Sequence, residues 1–317
     1  MDKLLILAYN EELYIKETIL SNIDFFDEII VVNDFSKDST LQILNDLTKD
    51  YKNLKIVNNP KNLGAGNSMN EGIKKALETD FNYLFKIDGD NQFRNTDIEK
   101  VKELVYENKS DFLKADRFWP EGIQGKIPKI RYFGNAFASF LIKFITSNAN
   151  ITDPLNGFFV FSHKSAILLK IPKIFSRYGY PFYINSFFYE LAMKDKLKVH
   201  QIKNKVIYEN ETSYIKPTIM FLKLIKYSTR FYFHMIKEKL RYSKFQMSGL
   251  LDLVSLISLV ISIVSISRSI GARYFEVDAN QSAWFIISIL FLVFFIFLNI
   301  GSRSLVRNVN KEIFKNL

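Results

Sequence analysis

Short apolar runs of strand length punctuate the first part of the chain: "KLLILAY" (3–9), "EIIVVND" (28–34), "LKIVNN" (54–59), "NYLFKID" (82–88) and "DFLKAD" (111–116). Between them, segments 11–22, 38–50, 66–78 and 96–108 carry apolar residues at helical period. "KDST" before Leu41 and "RNTD" before Ile98 supply Ser, Thr or Asp where helices begin. Strand–helix alternation predicts a parallel α/β sheet, and runs apolar on both faces predict helices covering each side. From 116 to 210 the pattern loosens into a turn-rich stretch "WPEGIQGKIP" (119–128), an apolar helix at 130–147 and the loop "TDPLNG". A strand "FFVF", a helix around 184–195 and a last strand near 197–208 complete this part.

The segment 215–245 changes character. Lys216, Lys223, Lys226, Arg230, Lys237, Lys239, Arg241 and Lys244 face one acid, Glu238, with apolar and aromatic residues interleaved. This predicts basic amphipathic helices suited to a membrane interface, with a basic surface helix of a soluble domain as the alternative. "LLDLVSLISLVISIVSI" (250–266) and "AWFIISILFLVFFIFLNI" (283–300) follow, each long enough to cross a hydrocarbon core of ~30 Å. The first carries Asp252 near its edge and several serines, which can bond back to the helix and support close packing with the second. Lys and Arg flank the pair on the outer sides, whereas the connecting loop has Arg268 and Arg273 offset by Glu276 and Asp278. That asymmetry predicts a hairpin with both chain termini in the cytosol.

Composition narrows the partners. The chain has 317 residues, 48% of them hydrophobic, a formal charge of +10 and no cysteine, so no disulfide or cysteine-built metal site exists. Much of the positive charge sits near the predicted membrane segments, which disfavours nucleic acid as the partner. "MDKLLILAYNEE" is too short in apolar residues for a secretory signal and reads as a first strand.

Ligands of parallel α/β sheets bind at the carboxyl ends of the strands, where Asn10–Glu12, Asp34 and Asp88–Asp90 fall. Asp88 and Asp90 stand at i and i+2, so both can converge on one ligand, and Gly89 leaves room for close approach. Two hard oxygen donors suit Mg²⁺ or Mn²⁺ beside a diphosphate, with Gln92 as a further oxygen. "DGDN" is also ordinary turn composition, so the short motif alone leaves a solvated turn open.

Taken together, "AYNEE" (8–12), "VVNDFSKDST" (31–40), "NPKNLGAGNSMNEGIKKA" (59–76) and the acid pair resemble the nucleotide-sugar half of a family 2 glycosyltransferase with the GT-A fold. "KADRF" (114–118), "PKIRYFGN" (128–135), "TDPLNGFFVFS" (152–162) and "YENETSYIKP" are similar to the dolichyl-phosphate mannose synthase branch and its bacterial polyprenyl-phosphate relatives. The resemblance implies a Rossmann-like, mostly parallel sheet flanked by helices in a cytosolic catalytic domain (1–212). Interfacial helices (213–247), two transmembrane helices within 248–302 (249–267 and 282–300) and a basic cytosolic tail (303–317) would follow, placing the protein in the inner membrane. It implies that Ala8, Tyr9, Asn10, Glu11, Asp34 and Gly64 line the nucleotide sugar, with Asp34 reading the base and Asn33 in a slot often filled by Asp. Asp88, Asp90 and Gln92 would hold the metal and diphosphate. Arg117 and Arg131 would contact phosphates of donor or acceptor, with Asp153 and Asn156 near the acceptor end. The expected partners are a nucleoside-diphosphate sugar, a polyprenyl phosphate and the bilayer, with homo-oligomers known among relatives.

The implied reaction is one inverting displacement of a sugar from UDP or GDP onto a lipid phosphate. A phosphate monoester with a second pKa near ~6 is mostly deprotonated near neutrality, so no strong general base is required. Transfer to a hydroxyl of a lipid-linked saccharide is the alternative and needs a base, for which Asp153 and Glu190 are the candidates. A catalytically silent membrane adaptor is the reading from another class. Two departures from the family pattern stand out: Phe159 where many relatives have Arg, and Asn185 and Glu190 as stand-ins for acids in the helix after "RYGY". His163, His200 and His234 lie outside every motif.

Overall fold

The computed structural model describes residues 1–93, 97–119, 123–124, 129–207, 217–274 and 281–317. The N-terminal elements are β1 (Asp2–Ala8), α1 (Ile15–Leu20), β2 (Glu28–Asn33), α2 (Thr40–Asp50), β3 (Leu54–Asn58) and α3 (Ala65–Ala76). They continue as β4 (Tyr83–Asp88), α4 (Ile98–Asn108), β5 (Phe112–Asp116), β6 (Ile123–Gln124) and α5 (Lys129–Thr146). Next come β7 (Phe159–Ser162), α6 (His163–Leu168), α7 (Tyr180–Met193), β8 (Val199–Lys203) and β9 (Val206–Ile207). The chain ends with α8 (Pro217–Arg241), α9 (Gln246–Tyr274), α10 (Gln281–Asn310) and β10 (Lys315–Asn316).

The sequence-predicted strands and helices of the first half form where the apolar runs place them. β1, β2 and β4 are buried along nearly their whole length, as expected for strands covered on both faces. The main sheet has the order β10-β8-β5-β7-β4-β1-β2-β3. It is parallel except at β7, which runs antiparallel to both β4 and β5. This is the expected mostly parallel sheet flanked by helices. Leu4, Ile6, Ile29, Val31, Phe85, Ile87, Leu113 and Val160 form the centre of one apolar core. α4 starts on Asp97, whose side chain accepts from the Lys100 amide, the cap that the pattern before Ile98 announced.

The chain divides into two compact units: residues 1–143, 149–227 and 313–317 in one, and 144–148 and 228–312 in the other. The first holds the sheet. Its C-terminal piece lies in the segment expected as a basic tail: β10 pairs in parallel with β8 at the sheet edge, and Phe314 is fully buried against Phe112.

In the second unit, α9 and α10 pack along each other. Their contact is a stripe of small residues, with Ser262 Oγ 2.8 Å from the Ser288 carbonyl and Ser248 Oγ 2.8 Å from Ser302 Oγ. Ser258 and Ser267 bond back to carbonyls of their own helix, the other use expected of these serines. Both helices are long and apolar enough to cross a membrane, and only 33% and 17% of their most apolar windows are buried. Core helices of a soluble protein would be mostly buried, so these outward faces call for an apolar solvent. Lys239 departs from the expectation that the lysines of α8 reach toward lipid phosphates. It is buried, donating to Asp252 at 2.7 Å and Ser147 at 2.8 Å, which neutralises the acid at the start of α9. "YENETSYIKP" lies almost entirely outside the described residues, as do most of "WPEGIQGKIP" and the loop between α9 and α10.

Candidate active site

A pocket of about 820 Å³ opens at the carboxyl ends of β1, β2 and β4. It is lined by Ala8, Tyr9, Asn10, Glu11, Asp34, Gly64, Asp88, Asp90 and Arg131, so the structure gathers nine of the thirteen sequence-predicted site residues around one space. Its size lies in the range of small-molecule sites. Arg117, Asp153, Asn156 and Gln92 do not line it.

The loops around the pocket are hydrogen-bonded to one another. Asn10 sits at φ 57, its amide donating to Ser36 Oγ and its side-chain oxygen accepting from the Lys37 amide. The Glu11 amide donates to Thr40 Oγ1 at 2.8 Å. These bonds lock the loop after β1 to the loop after β2. Asp34 is 4% exposed. It accepts from the Leu63 and Gly64 amides, each at 2.8 Å, and from Asn59 at 2.9 Å. Three bonds leave little of its acceptor capacity for a base, so Asp34 shapes the loop before α3 while facing the pocket. Gly64 has φ 87, and a Cβ there would meet Arg177 Cγ at 2.5 Å. The glycine therefore serves both the turn and the close seating of Arg177. Gly66 and Asn67 donate their amides to the Arg177 and Ser176 carbonyls, tying this segment to the start of α3.

Asp88 is held from beneath. Lys86, fully buried, donates to Asp88 Oδ1 at 2.5 Å and to the Gly157 carbonyl at 2.9 Å. Burial opposes its charge, but Asp88 and Tyr180 outweigh burial and raise the Lys86 pKa above the usual lysine value. Burial pushes the Tyr180 phenol up to about 12, with Lys86 opposing. A Cβ on Gly157 would lie 2.3 Å from Asp88 Oδ2, so the space beside this oxygen exists only because residue 157 is glycine.

Gly157 is positioned by the "DPLNG" loop. Asp153, at φ 45, is clasped by Arg117: Nε to Oδ2 at 2.7 Å, Nη2 to Oδ1 at 2.8 Å, and the Arg117 amide to Oδ2 at 3.0 Å. Burial disfavours the Asp153 charge, yet the Arg117 guanidinium and its hydrogen bonds hold its carboxyl below the usual range. Asn156 donates to Asp153 and accepts from the Phe158 amide, closing the turn. Asn185, from α7, donates to the Pro154 carbonyl at 3.3 Å. Glu190 is paired with Lys194 one turn on, away from the pocket. Phe159 is buried in register with Lys86 on one side and Lys114 on the other. An arginine there would put three like charges side by side, which sheets disfavour.

Whether a divalent metal fits can be judged from the donors. Asp88 and Asp90 bring hard oxygens to the pocket, and the glycine at 157 keeps one side of Asp88 open. Gln92 is 7% exposed, and its backbone amide donates to Asp90 Oδ1 at 3.3 Å. Among the described residues no group of three His, Cys, Asp or Glu could hold a metal. A pair of carboxylates fits a metal whose remaining ligands are water and diphosphate oxygens, the habit of Mg²⁺. Lys86, Gly157, Tyr180, Arg177 and Lys223 were not singled out by sequence as site residues. A lysine inside the apolar strand "YLFKID" was the one visible signal among them.

Comparison with known proteins bears on this pocket. A UDP-N-acetylglucosamine–dolichyl-phosphate N-acetylglucosaminyltransferase of Methanococcus voltae is 29% identical over 219 residues, covering 65% of this chain and 85% of that protein. A dolichyl-phosphate beta-glucosyltransferase of Trichomonas vaginalis is 28% identical over 159 residues, covering 48% of this chain and 46% of that one. Among solved structures, S. aureus TarS 1–349 in complex with UDP-GlcNAc aligns over 99% of this chain and 93% of its own, at 17% identity and a TM-score of 0.48. The model of the family "Glycosyl transferase family 2" matches residues 4–170, from β1 through α6, which is more than half of the chain. The chain that builds this pocket therefore belongs to glycosyltransferase family 2.

Proposed function

We propose that the protein transfers one sugar from a nucleoside diphosphate to a polyprenyl phosphate at the cytosolic face of a membrane. The observation that carries this reading is the content of the pocket. Asp88 and Asp90 share it with the cations Arg131, Arg177 and Lys223, as a diphosphate donor and a phosphate acceptor together require. The relatives named for dolichyl phosphate support the choice of acceptor.

In this reading Ala8, Tyr9, Asn10, Glu11 and Gly64 line the nucleoside, and Asp34 orders the loop that receives it. Asp88 and Asp90 would hold Mg²⁺ or Mn²⁺, which supplies charge stabilisation for the departing diphosphate. Arg131 presents a fork to phosphate oxygens. Arg117, Asp153 and Asn156 act as positioning residues, fixing the loop that sets Gly157 against Asp88. The residues of the pocket orient an already ionised phosphate toward the anomeric carbon, and a single displacement inverts that centre.

Transfer to a saccharide hydroxyl has less support. Its two candidate bases lie off the pocket, Asp153 clasped by Arg117 and Glu190 paired with Lys194. The deciding experiment incubates the purified full chain with UDP- and GDP-sugars, polyprenyl phosphate and Mg²⁺ or Mn²⁺. An acid-labile, lipid-extractable product that Asp90→Ala abolishes is expected. Transfer only to a saccharide acceptor, or unchanged turnover by Asp90→Ala, would refute the reading.

A further inference from the structure

The amphipathic pattern of α8 directs its lysines to the bilayer surface, but Lys223 turns into the pocket. Ile219, Met220 and Lys223 line that space from one face of the helix. Leu224, 2% exposed, and Tyr227, whose ring lies 5.1 Å from Phe175, anchor the helix against the body of the same unit. Phe221 stacks on Phe137 of α5 at 4.4 Å. Leu222, one turn from Ile219, is 66% exposed.

Lys223 is half-buried, and among the described residues its ammonium has no hydrogen bond or ion pair. The other charges of the pocket are better provided for. Asp34 is held by two backbone amides, Asp88 by Lys86, and Arg177 donates to Asn62 at 2.7 Å. An ammonium left without an internal partner on a pocket wall, flanked by apolar side chains, matches an amphiphile with an anionic head.

We propose that Lys223 receives the phosphate of the lipid acceptor, with Ile219 and Leu222 beside it meeting the first part of the hydrocarbon chain. This rests on the reading of the acceptor as a polyprenyl phosphate and adds a contact from the membrane-proximal helix. It also gives α8 a part in acceptor selection: Lys223 binds the head while the exposed face of the helix keeps the tail in an apolar setting.

The test uses the full chain in detergent micelles and measures binding of farnesyl phosphate, farnesol, inorganic phosphate and whichever of UDP or GDP the wild type binds. Farnesyl phosphate is expected to bind more tightly than either farnesol or inorganic phosphate. Lys223→Gln should weaken farnesyl phosphate about tenfold or more, the scale of a lost charge-assisted bond, and Lys223→Arg should largely restore it. Nucleotide affinity should stay within about twofold, since the donor contacts are untouched and the fold is intact. Unchanged farnesyl phosphate binding by Lys223→Gln would overturn the proposal. So would a parallel loss of nucleotide restored by Lys223→Arg, which would assign Lys223 to the donor. Lys226→Gln, an exposed lysine on the same helix, reports the general effect of helix charge, and a loss equal to that of Lys223→Gln would also overturn it. Equal affinity of the wild type for farnesol or inorganic phosphate would remove the amphiphilic acceptor. A wild type that binds nucleotide but not farnesyl phosphate would remove the lipid-phosphate reading with it, leaving the transferase assignment in place.

Discussion

At the scale of single residues, Gly157 shows how a backbone atom can govern a carboxylate. Its missing Cβ is the space beside Asp88 Oδ2, at 2.3 Å. Gly157→Ala is expected to push Asp88 aside and lower turnover ~10²-fold, the scale of an ångström-sized misplacement at a reacting centre. Steady-state rates beside a thermal melt separate this from unfolding; wild-type turnover would show that the position of Asp88 is immaterial. Lys114 makes a second residue-scale case. It is fully buried on β5, its ammonium on the Thr152 carbonyl. Burial brings its pKa down to about 8 from the ordinary lysine value of 10.5, with Asp153 and Asp116 opposing. Between those values the unfolded chain holds more protons than the folded one, so stability should rise with pH across that window. The gain is on the order of 3 kcal/mol at most. Melting curves in detergent at pH 7.5 and 9.5, values chosen to fall about on either side of the folded pKa, should show a rise for the wild type that Lys114→Met lacks. With Lys86 and Lys114 flanking it in register, position 159 accommodates an apolar ring better than a third cation.

At the scale of elements, the serines of α9 separate two roles that their residue type leaves open. Ser258 and Ser267 bond to their own helix, whereas Ser248 and Ser262 bond to α10. Ser267 is exposed, whereas Ser248, Ser258 and Ser262 are all buried, and the small side chain allows the two backbones to approach. Because the chain has no cysteine, the contact can be tested cleanly. Ser262→Cys with Ser288→Cys, whose hydroxyls lie 3.2 Å apart, should cross-link within one chain under mild oxidation. A shift in gel mobility reversed by reductant reports it; cross-linking only between chains would place these faces at a different interface. The strands and helices up to α4 were legible because their apolar periods are distinct; of the four helices only α4 carries a side-chain cap. β7 was legible as a strand but not as antiparallel, since direction is decided by how the chain returns to the sheet. α8 was legible as basic and amphipathic, yet Lys223 and Lys239 turn inward, because a sequence period gives the spacing of faces and not their destinations.

At the scale of the whole molecule, both ends of the chain enter one sheet: β1 is central and β10 is its edge. A chain whose first and last strands share a sheet on one side of a membrane must cross that membrane an even number of times. This fits an even number of crossings, such as a hairpin of α9 and α10, with both ends on the same side. The absence of cysteine again supplies the measurement. Asp24→Cys and Lys311→Cys should resist a membrane-impermeant maleimide in intact cells, while Gln281→Cys, at the start of α10, should react. Labelling of all three, or of Asp24→Cys alone, would contradict the hairpin.

The sequence by itself determined the alternating strands and helices, the acids at the strand ends, the family, and the two apolar helices, because each is written in local spacing, charge or run length. The tertiary structure alone decided what those residues touch. It gave Asp34 to the loop amides, Arg117 to Asp153, Lys86 to Asp88, and the last residues to the edge of the first domain's sheet. Partners far apart in the chain are chosen by packing, where a buried charge must find its counter-charge or hydrogen bonds, and no local pattern records which one it finds.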